Sequence, residues 1–230
     1  MTAVEAALGE LSQFPLFQKF SREKLLQLVS DSQIVVTNHR EVLFRCGEKA
    51  SCFGIVLGGA YKLIKPGTGG EDTILHFSTP GDVVAAFIMS QDSPSYPLSA
   101  ISMGPSRFLK IPRKNYREFW MADPDLILRV QNLLSTRMSS LQSHKAMTKS
   151  PLSQKVALLL LDLLERQPKN ENNILNLPLT RKEIADSLGA SVETVIRIMS
   201  EWSKLGYIQT TDQQINILNI DQILKQSRDT

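Results

Sequence analysis

Glu193, Thr194 and Arg197 place a carboxylate, a hydroxyl and a guanidinium on one face of a predicted helix that starts after Ser191. An arginine can donate a bidentate pair of hydrogen bonds to guanine, and a glutamate can accept one from the amino group of cytosine. The opposite face carries an apolar stripe at three- and four-residue intervals, formed by Val195, Ile198, Met199 and Trp202. The stripe would hold the helix on a core while the polar face recognises base edges in DNA.

The residues before this helix carry the signals of a second, shorter helix. Thr180 can cap its first N–H groups while Glu183 completes a capping box, and Gly189 permits the left-handed conformation that ends a helix. Two helices joined in this way are typical of a helix-turn-helix, whose second helix lies in the major groove. We therefore predict DNA contacts from six residues: Thr180, Arg181, Ser191, Glu193, Thr194 and Arg197.

The spacing alone also fits a helical hairpin in an ordinary globular domain, with Glu193 and Arg197 as a surface ion pair. The residues after Gly206 favour the DNA-binding interpretation. Residues 207–218 alternate apolar and polar side chains around a polar turn, which is typical of a two-stranded hairpin, and a short helix over residues 222–225 follows. Together these elements predict a winged helix.

Charge and composition limit the classes of protein to which the chain can belong. The 230 residues carry a net charge of +3 and are 42% hydrophobic, which predicts a soluble protein with room for two domains. The longest apolar run, residues 156–161, is too short to span a membrane and no secretion signal is present, so we expect a cytoplasmic protein. Residues 151–230 hold nine Lys or Arg against ten Asp or Glu. This balance predicts weak DNA binding unless the domain is doubled, with two copies bound to the DNA together.

A long helix is predicted over residues 125–149, and its side chains suggest how such doubling occurs. One seam of this helix recurs in three- and four-residue steps: Ile127, Val130, Leu134, Arg137 and Leu141. Such a seam is typical of a dimer interface, although Arg137 and His144 make its C-terminal half a poor zipper. The alternative is a helix that packs only on its own domain. Pro151 predicts a hinge before the next helix, residues 152–166.

The first half of the chain is predicted to be rich in β-strands. Two short helices, residues 4–12 and 21–29, precede eight strands separated by turns that contain Gly or Pro: residues 33–37, 41–45, 52–57, 60–65, 73–77, 82–86, 98–102 and 107–111. This spacing predicts a barrel or sandwich. The predicted α+β architecture is a β-sandwich over residues 1–122, a dimerisation helix with a hinge over 123–150 and a winged helix over 151–230.

The order of these motifs resembles the Crp/Fnr superfamily of bacterial transcription regulators, from one end of the chain to the other. Gly47-Glu48 after a strand, Gly58-Gly59 at a hairpin turn and Gly81-Asp82 before the pocket strand each have a family counterpart. Glu193-Thr-Val-Ile-Arg197 matches the family's Glu-x-x-x-Arg pattern in the recognition helix. The resemblance implies a jelly-roll-like cyclic-nucleotide-binding fold and a homodimer that binds promoter half-sites in double-stranded DNA. It also implies contacts with RNA polymerase.

The chain departs from this family at the effector site. Members that bind cyclic AMP have Gly-Glu-Leu after the pocket strand and a later Arg-Ser, whereas this chain has Ala85-Ala86-Phe87 and Tyr96-Pro97. Burying an anionic phosphate without a cation is costly, so we expect no cyclic-AMP binding of the usual kind. Iron–sulfur members need cysteine ligands, chiefly near the N-terminus, and none of the first 45 residues is cysteine, so we expect no iron–sulfur cluster.

Two interpretations of the pocket remain open. A small, less charged or aromatic effector would contact Ala85, Ala86, Phe87 and Tyr96, with hydroxyl donors from Ser139 and Ser140. Alternatively, Phe87, Met89 and Tyr96 fill the pocket and no ligand is needed. Haem also stays open, although lone histidines are more often structural or exposed. Its candidate ligands are His39, His76, His144, Cys46 and Cys52.

The remaining function classes are less well supported by the sequence. There is no phosphate-cradling Gly loop, His-x-x-x-His pair or nucleophile motif, so an enzyme is not expected. Cys46 and Cys52 lack zinc-type spacing and are expected to be free thiols, so no metal site is predicted. The main alternative to a regulator is a cyclic-nucleotide-binding-like scaffold or signalling protein whose DNA binding is weak or lost, because the predicted wing, residues 210–214, has no Lys or Arg.

Overall fold

Short helices open the computed structural model, which describes residues 3–67, 72–146, 149–167, 173–211 and 214–228. They are α1 (Ala3–Leu11) and α2 (Arg22–Leu28), and Ser21 caps α2 by accepting a hydrogen bond from the N–H of Lys24 at 3.2 Å. The strands that follow are β1 (Gln33–Thr37), β2 (Val42–Phe44), β3 (Cys52–Gly58), β4 (Tyr61–Pro66), β5 (Asp72–Ser78), β6 (Val83–Val84), β7 (Ser99–Ser102) and β8 (Ser106–Pro112).

These strands form two four-stranded sheets, with strand orders β1-β8-β3-β6 and β2-β7-β4-β5. Strand β8 pairs antiparallel with both β1 and β3, and β7 pairs antiparallel with both β2 and β4. Gly54 is needed in β3, since a Cβ at this position would lie 2.0 Å from the carbonyl oxygen of Leu109. One apolar core contains side chains from both sheets, such as Phe44 and Phe108, so the predicted β-sandwich is confirmed.

Aromatic side chains pack on this core after the last strand. A single turn, α3 (Arg113–Asn115), leads into a π-helical turn, Tyr116–Trp120. The Trp120 ring meets the Phe53 ring edge to face, with the centroids 4.8 Å apart, and its indole N–H donates to the carbonyl of Leu28 at 3.2 Å. This contact attaches the C-terminal end of α2 to the sandwich.

The segment expected to form a strand over residues 82–86 is shorter than predicted. Strand β6 ends at Val84, because Ala85 adopts a left-handed conformation with φ of 65°, and Ala86–Ile88 then form a 3-10 turn. Left-handed backbone costs a non-glycine residue about 1–2 kcal/mol. The backbone at Ala85 therefore turns the chain out of the sheet.

Helices dominate the second half of the chain. They are α4 (Pro124–Ala146), α5 (Leu152–Arg166), α6 (Arg181–Leu188) and α7 (Val192–Lys204), followed by the hairpin β9 (Ile208–Thr211) and β10 (Gln214–Ile217) and by α8 (Ile220–Arg228). The bounds of α5 match the prediction, while α8 is longer than residues 222–225. The hairpin pairs antiparallel from Ile208 opposite Ile217 to Thr211 opposite Gln214, as expected of a wing.

The chain divides into two compact units. The first contains Met1–Pro66 and Phe77–Ser139, and the second contains Gly67–His76 and Ser140–Thr230. Most of α4 therefore belongs to the first unit, whereas the helix-turn-helix and the hairpin lie in the second. Over the described residues, no helix has the length and apolar character needed to cross a membrane.

Candidate nucleic-acid interface

The N-terminus of α6 is held by the predicted capping box. The Thr180 hydroxyl accepts from the N–H of Glu183 at 3.1 Å, and a Glu183 carboxylate oxygen accepts from the Thr180 N–H at 3.0 Å. The same oxygen accepts from the Thr180 hydroxyl at 2.9 Å, and the Glu183 side chain is buried. The helix ends at Gly189, which is left-handed with φ of 61°. Both signals at the ends of α6 are confirmed.

A second cap orients α7. Ser191 accepts from the N–H of Thr194 at 3.3 Å, and the hydroxyls of these two residues lie 2.8 Å apart. The apolar stripe of α7 is buried as predicted, and it consists of Val195, Ile198, Met199 and Trp202. Because one face is fully used in packing, the other face points to solvent.

The exposed face of α7 carries the side chains that could contact bases. Glu193 and Arg197 are exposed one helical turn apart, and Ile196 is 48% exposed between them in the sequence. Ile196 was not among the predicted site residues. The available signal was an apolar residue that lies off the buried stripe.

The structure gathers the six predicted DNA-binding residues at the N-terminal ends of α6 and α7. Thr180 and Ser191 use their hydroxyls as caps, so their first role is to position the helices. Arg181 is half-buried on the first turn of α6, while Thr194 shares the cap with Ser191. Contact of these residues with DNA stays a prediction.

The basic groups near the interface are few. Lys182 is exposed and pairs with Asp186 one turn later, at 3.4 Å. In the hairpin, residues 212–213 lie outside the described residues, and the flanking Thr211 and Gln214 are exposed and uncharged. The described part of this interface therefore offers few cations for phosphate contacts, and Arg197 is the basic residue on the exposed face of α7 close to Ser191.

The predicted effector residues do not form one pocket. Ala85 and Ala86 are buried, whereas Phe87 is 47% exposed. Ala86 and Phe87 line a small apolar cavity, of about 10 Å³, with residues from β6 and α4, namely Val83, Val130, Leu133 and Leu134. The cavity lining is entirely apolar and lacks a group that could neutralise a phosphate.

Tyr96 is not among the residues that line this cavity. Its ring stacks on Phe44, and its buried hydroxyl donates to the carbonyl of Cys52 at 2.8 Å. Burial raises the pKa of the Tyr96 hydroxyl, which stays protonated as a donor. Met89 is also fully buried, so Met89 and Tyr96 fill the interior while the ring of Phe87 does not.

The predicted dimer seam needs one correction. Val130 is 5% exposed and packs in the core of its own unit. Residues at three- and four-residue intervals share one helix face, and that face can pack on the same chain as well as on a second copy. Ile127 and Leu134 are half-buried, and the side chains of Arg137, Leu141 and His144 lie outside the described residues. Leu128 and Met138, which were not predicted, are each 57% exposed. On the same helix Ser139 is exposed, and the Ser140 side chain is outside the described residues.

Two of the candidate haem ligands make hydrogen bonds to backbone carbonyls. His39 bonds through Nδ1 to the carbonyl oxygen of Met103 at 2.7 Å, and Cys46 donates from its Sγ to the carbonyl of Pro97. Cys46 and Cys52 are both free thiols, and Cys52 is buried. Across the described ranges, no three His, Cys, Asp or Glu side chains come together as a metal site.

Comparisons with known proteins agree with this two-unit organisation. The cyclic nucleotide-binding domain model matches residues 34–123, and the Crp-like helix-turn-helix domain model matches residues 154–225. The transcriptional activator protein FnrA of Stutzerimonas stutzeri is 26% identical over 182 residues, covering 78% of this chain and 74% of that protein. A CRP-like cAMP-activated global transcriptional regulator of Mycobacterium tuberculosis is 23% identical over 222 residues, covering 95% and 98%.

A solved structure gives the same result for the fold. FixK2 from Bradyrhizobium japonicum superimposes with a TM-score of 0.75 at 21% identity, covering 86% of this chain and 98% of that chain. The two family models together match most of the sequence. The chain belongs to the Crp/Fnr family of transcription regulators, with a cyclic nucleotide-binding-like domain followed by a Crp-like helix-turn-helix domain.

Proposed function

We propose that this regulator binds promoter half-sites in double-stranded DNA as a homodimer, with α7 of each copy in the major groove. The observation that carries the proposal is the exposed pair Glu193 and Arg197 on a helix whose start is capped by Ser191 and whose other face is buried. A helix held in this way presents its N-terminal residues to base edges in a helix-turn-helix protein. Arg197 would donate to guanine, and Glu193 would accept from cytosine.

The charge of the helix-turn-helix domain supports dimerisation. With nine basic against ten acidic residues in 151–230, one copy neutralises few phosphates, and two linked copies double that number. At about 100° per residue, Ile127, Leu134 and Met138 lie within about 40° of each other around α4. Met138 is exposed and the other two are half-buried, so this face offers apolar surface to a second copy.

The names of similar proteins support one further partner, RNA polymerase. Proteins similar to this chain are named transcriptional activators, which supports contact with RNA polymerase and a place in the cytoplasm. The effector part of the proposal depends on the ring of Phe87, a half-exposed residue that lines the small apolar cavity with Leu133 and Leu134 of α4. An uncharged ligand that displaced this ring would favour a different packing of α4, whereas cyclic AMP would find no cation there.

A selection from random duplexes, followed by mobility-shift titration, tests DNA binding. Arg197→Ala is expected to weaken binding at a matching guanine by about five- to 150-fold, because a bidentate pair is lost. Lys204→Ala, on the last turn of the same helix, is the matched control and should leave base preference unchanged. Equal loss on all sequences would instead assign Arg197 to phosphate, and failure to select any sequence would favour a scaffold without DNA binding.

Sedimentation tests the dimer. Met138→Glu should dissociate the dimer and weaken DNA binding, because a charge would be buried in the apolar face. Leu128→Glu is the control, since Leu128 has the same exposure but lies about 100° away from Ile127.

A thermal-shift screen with cyclic nucleotides, cyclic dinucleotides and uncharged metabolites tests the effector, and a tight cyclic-AMP response would contradict the proposed pocket.

A further inference from the structure

Ile196 differs from every other isoleucine, valine and methionine within α7 in how much of its side chain reaches solvent. It is 48% exposed, whereas Val192 is half-buried and Val195, Ile198 and Met199 are at most 9% exposed. Single exposed apolar side chains are ordinary on protein surfaces, so exposure alone assigns no role. The position of Ile196 on the helix, beside the polar residues of the interface, indicates a role for it.

Helix geometry places Ile196 beside the two polar residues of the interface. At about 100° per residue, Ile196 lies about 60° to one side of Glu193, and Arg197 lies about 40° to the other side. All three belong to the first half of α7, which starts at the Ser191 cap. With α7 in the major groove, we expect Ile196 to face the base pair next to the one that Glu193 and Arg197 contact.

The chemistry of an isoleucine selects one feature of the major groove. The C5-methyl group of thymine is the apolar group that a base presents there, and apolar side chains contact it. Isoleucine in a helix is held in one strongly preferred rotamer, so little side-chain freedom is lost on contact. We propose that Ile196 specifies a thymine in each half-site by covering its methyl group, an inference that rests on the proposed binding of α7 in the major groove.

Selected DNA tests this contact directly. Duplexes enriched by the full-length protein should contain a thymine next to the base pair whose identity changes with Arg197→Ala. Replacing that thymine by deoxyuridine, which lacks only the methyl group, should weaken wild-type binding about fourfold per half-site, the factor that burial of one methyl group provides. Binding by Ile196→Ala should be insensitive to the replacement, and selection with this variant should lose the thymine while keeping the neighbouring preference.

Leu205→Ala is the matched control, because Leu205 is 55% exposed at the opposite end of α7. It should keep both the thymine preference and the fourfold effect of deoxyuridine. A selected motif without thymine, or equal sensitivity of wild type and Ile196→Ala to deoxyuridine, overturns the role of Ile196 while the proposed function stands. A selection that enriches no motif overturns both proposals.

Discussion

The ring of Tyr96 lies nearly parallel to the ring of Phe44, with the centroids 4.1 Å apart and 15° between the planes. Both side chains are buried, and the Tyr96 hydroxyl reaches the Cys52 carbonyl. From the resemblance, we expect Tyr96 to lie where cyclic-AMP-binding members have their phosphate-binding segment. The interior of the sandwich is thus occupied by side chains at this point, and a ligand there would have to displace an aromatic pair.

Two substitutions at Tyr96 should separate the contribution of its hydrogen bond to stability from the contribution of its ring packing. Tyr96→Phe keeps the stacked ring and should cost about 1–2 kcal/mol, because the buried Cys52 carbonyl loses a donor. Tyr96→Ala also leaves a cavity and should cost about 3–5 kcal/mol. Urea unfolding measured by Trp120 fluorescence, in a Trp202→Phe background, reports on the unit that contains Tyr96. Equal costs for the two variants would contradict the packing role.

The capping box of α6 should be detectable as local stability. Thr180→Ala removes the hydroxyl that accepts from Glu183 N–H and should cost about 1–1.5 kcal/mol, so amide exchange over residues 181–188 should quicken about tenfold. Thr180→Ser retains an equivalent oxygen and should stay close to wild type. If Thr180→Ala left exchange unchanged and weakened only DNA binding, the hydroxyl would act on phosphate instead.

Local signals explain why much of the fold could be predicted. The bounds of α5 follow from Pro151 and an apolar helical stripe, and the caps at Thr180 and Ser191 follow from side-chain chemistry within one turn. The end of β6 could not be predicted in this way. Alanine gives no signal for left-handed backbone, so the conformation of Ala85 depends on the surrounding packing.

The candidate site could be predicted only in part, for two physical reasons. Three- and four-residue spacing on α4 fits a contact with the same chain as well as a contact with a second copy. The burial of Val130 in its own unit could therefore be recognised only from the structure. The exposure of Ile196 was detectable, because Val195 and Ile198 already define the buried stripe. A prediction that considers only polar side chains overlooks an exposed apolar residue such as Ile196.

Glycine substitutions at neighbouring alanines should test the strained backbone. Ala85→Gly relieves the left-handed conformation but increases the freedom of the unfolded chain, so stability should change by less than about 0.5 kcal/mol. Ala86→Gly has no strain to relieve and should lose about 1 kcal/mol, since Ala86 is buried in a 3-10 turn. Unfolding followed by Trp120 fluorescence compares the two, and equal losses would argue against strain at Ala85.

Asp123 links α4 to α2 through its charge. Burial alone would raise the pKa of its carboxyl, but hydrogen bonds from the Lys24 ammonium and from the N–H of Leu126 outweigh burial and lower the pKa below its ordinary value. A carboxyl whose pKa is lower in the folded state than in the unfolded state stabilises the fold at pH values above its unfolded pKa. This stabilisation is lost as the pH falls through the folded pKa. Asp123→Asn keeps an oxygen for the cap but loses the ion pair, so it should cost about 1 kcal/mol at pH 7.

The pH dependence distinguishes this charge effect from a packing change. As the pH falls below about 4, wild type should lose the contribution of Asp123 while Asp123→Asn, which does not titrate, keeps its stability, so the difference between them should shrink. Asp31→Asn is the control, because Asp31 pairs with Lys114 on the exposed surface, where an ion pair contributes little. A difference between wild type and Asp123→Asn that stayed constant from pH 7 to pH 3 would mean that the amide disturbs packing at the start of α4 and that the carboxylate charge adds nothing to stability.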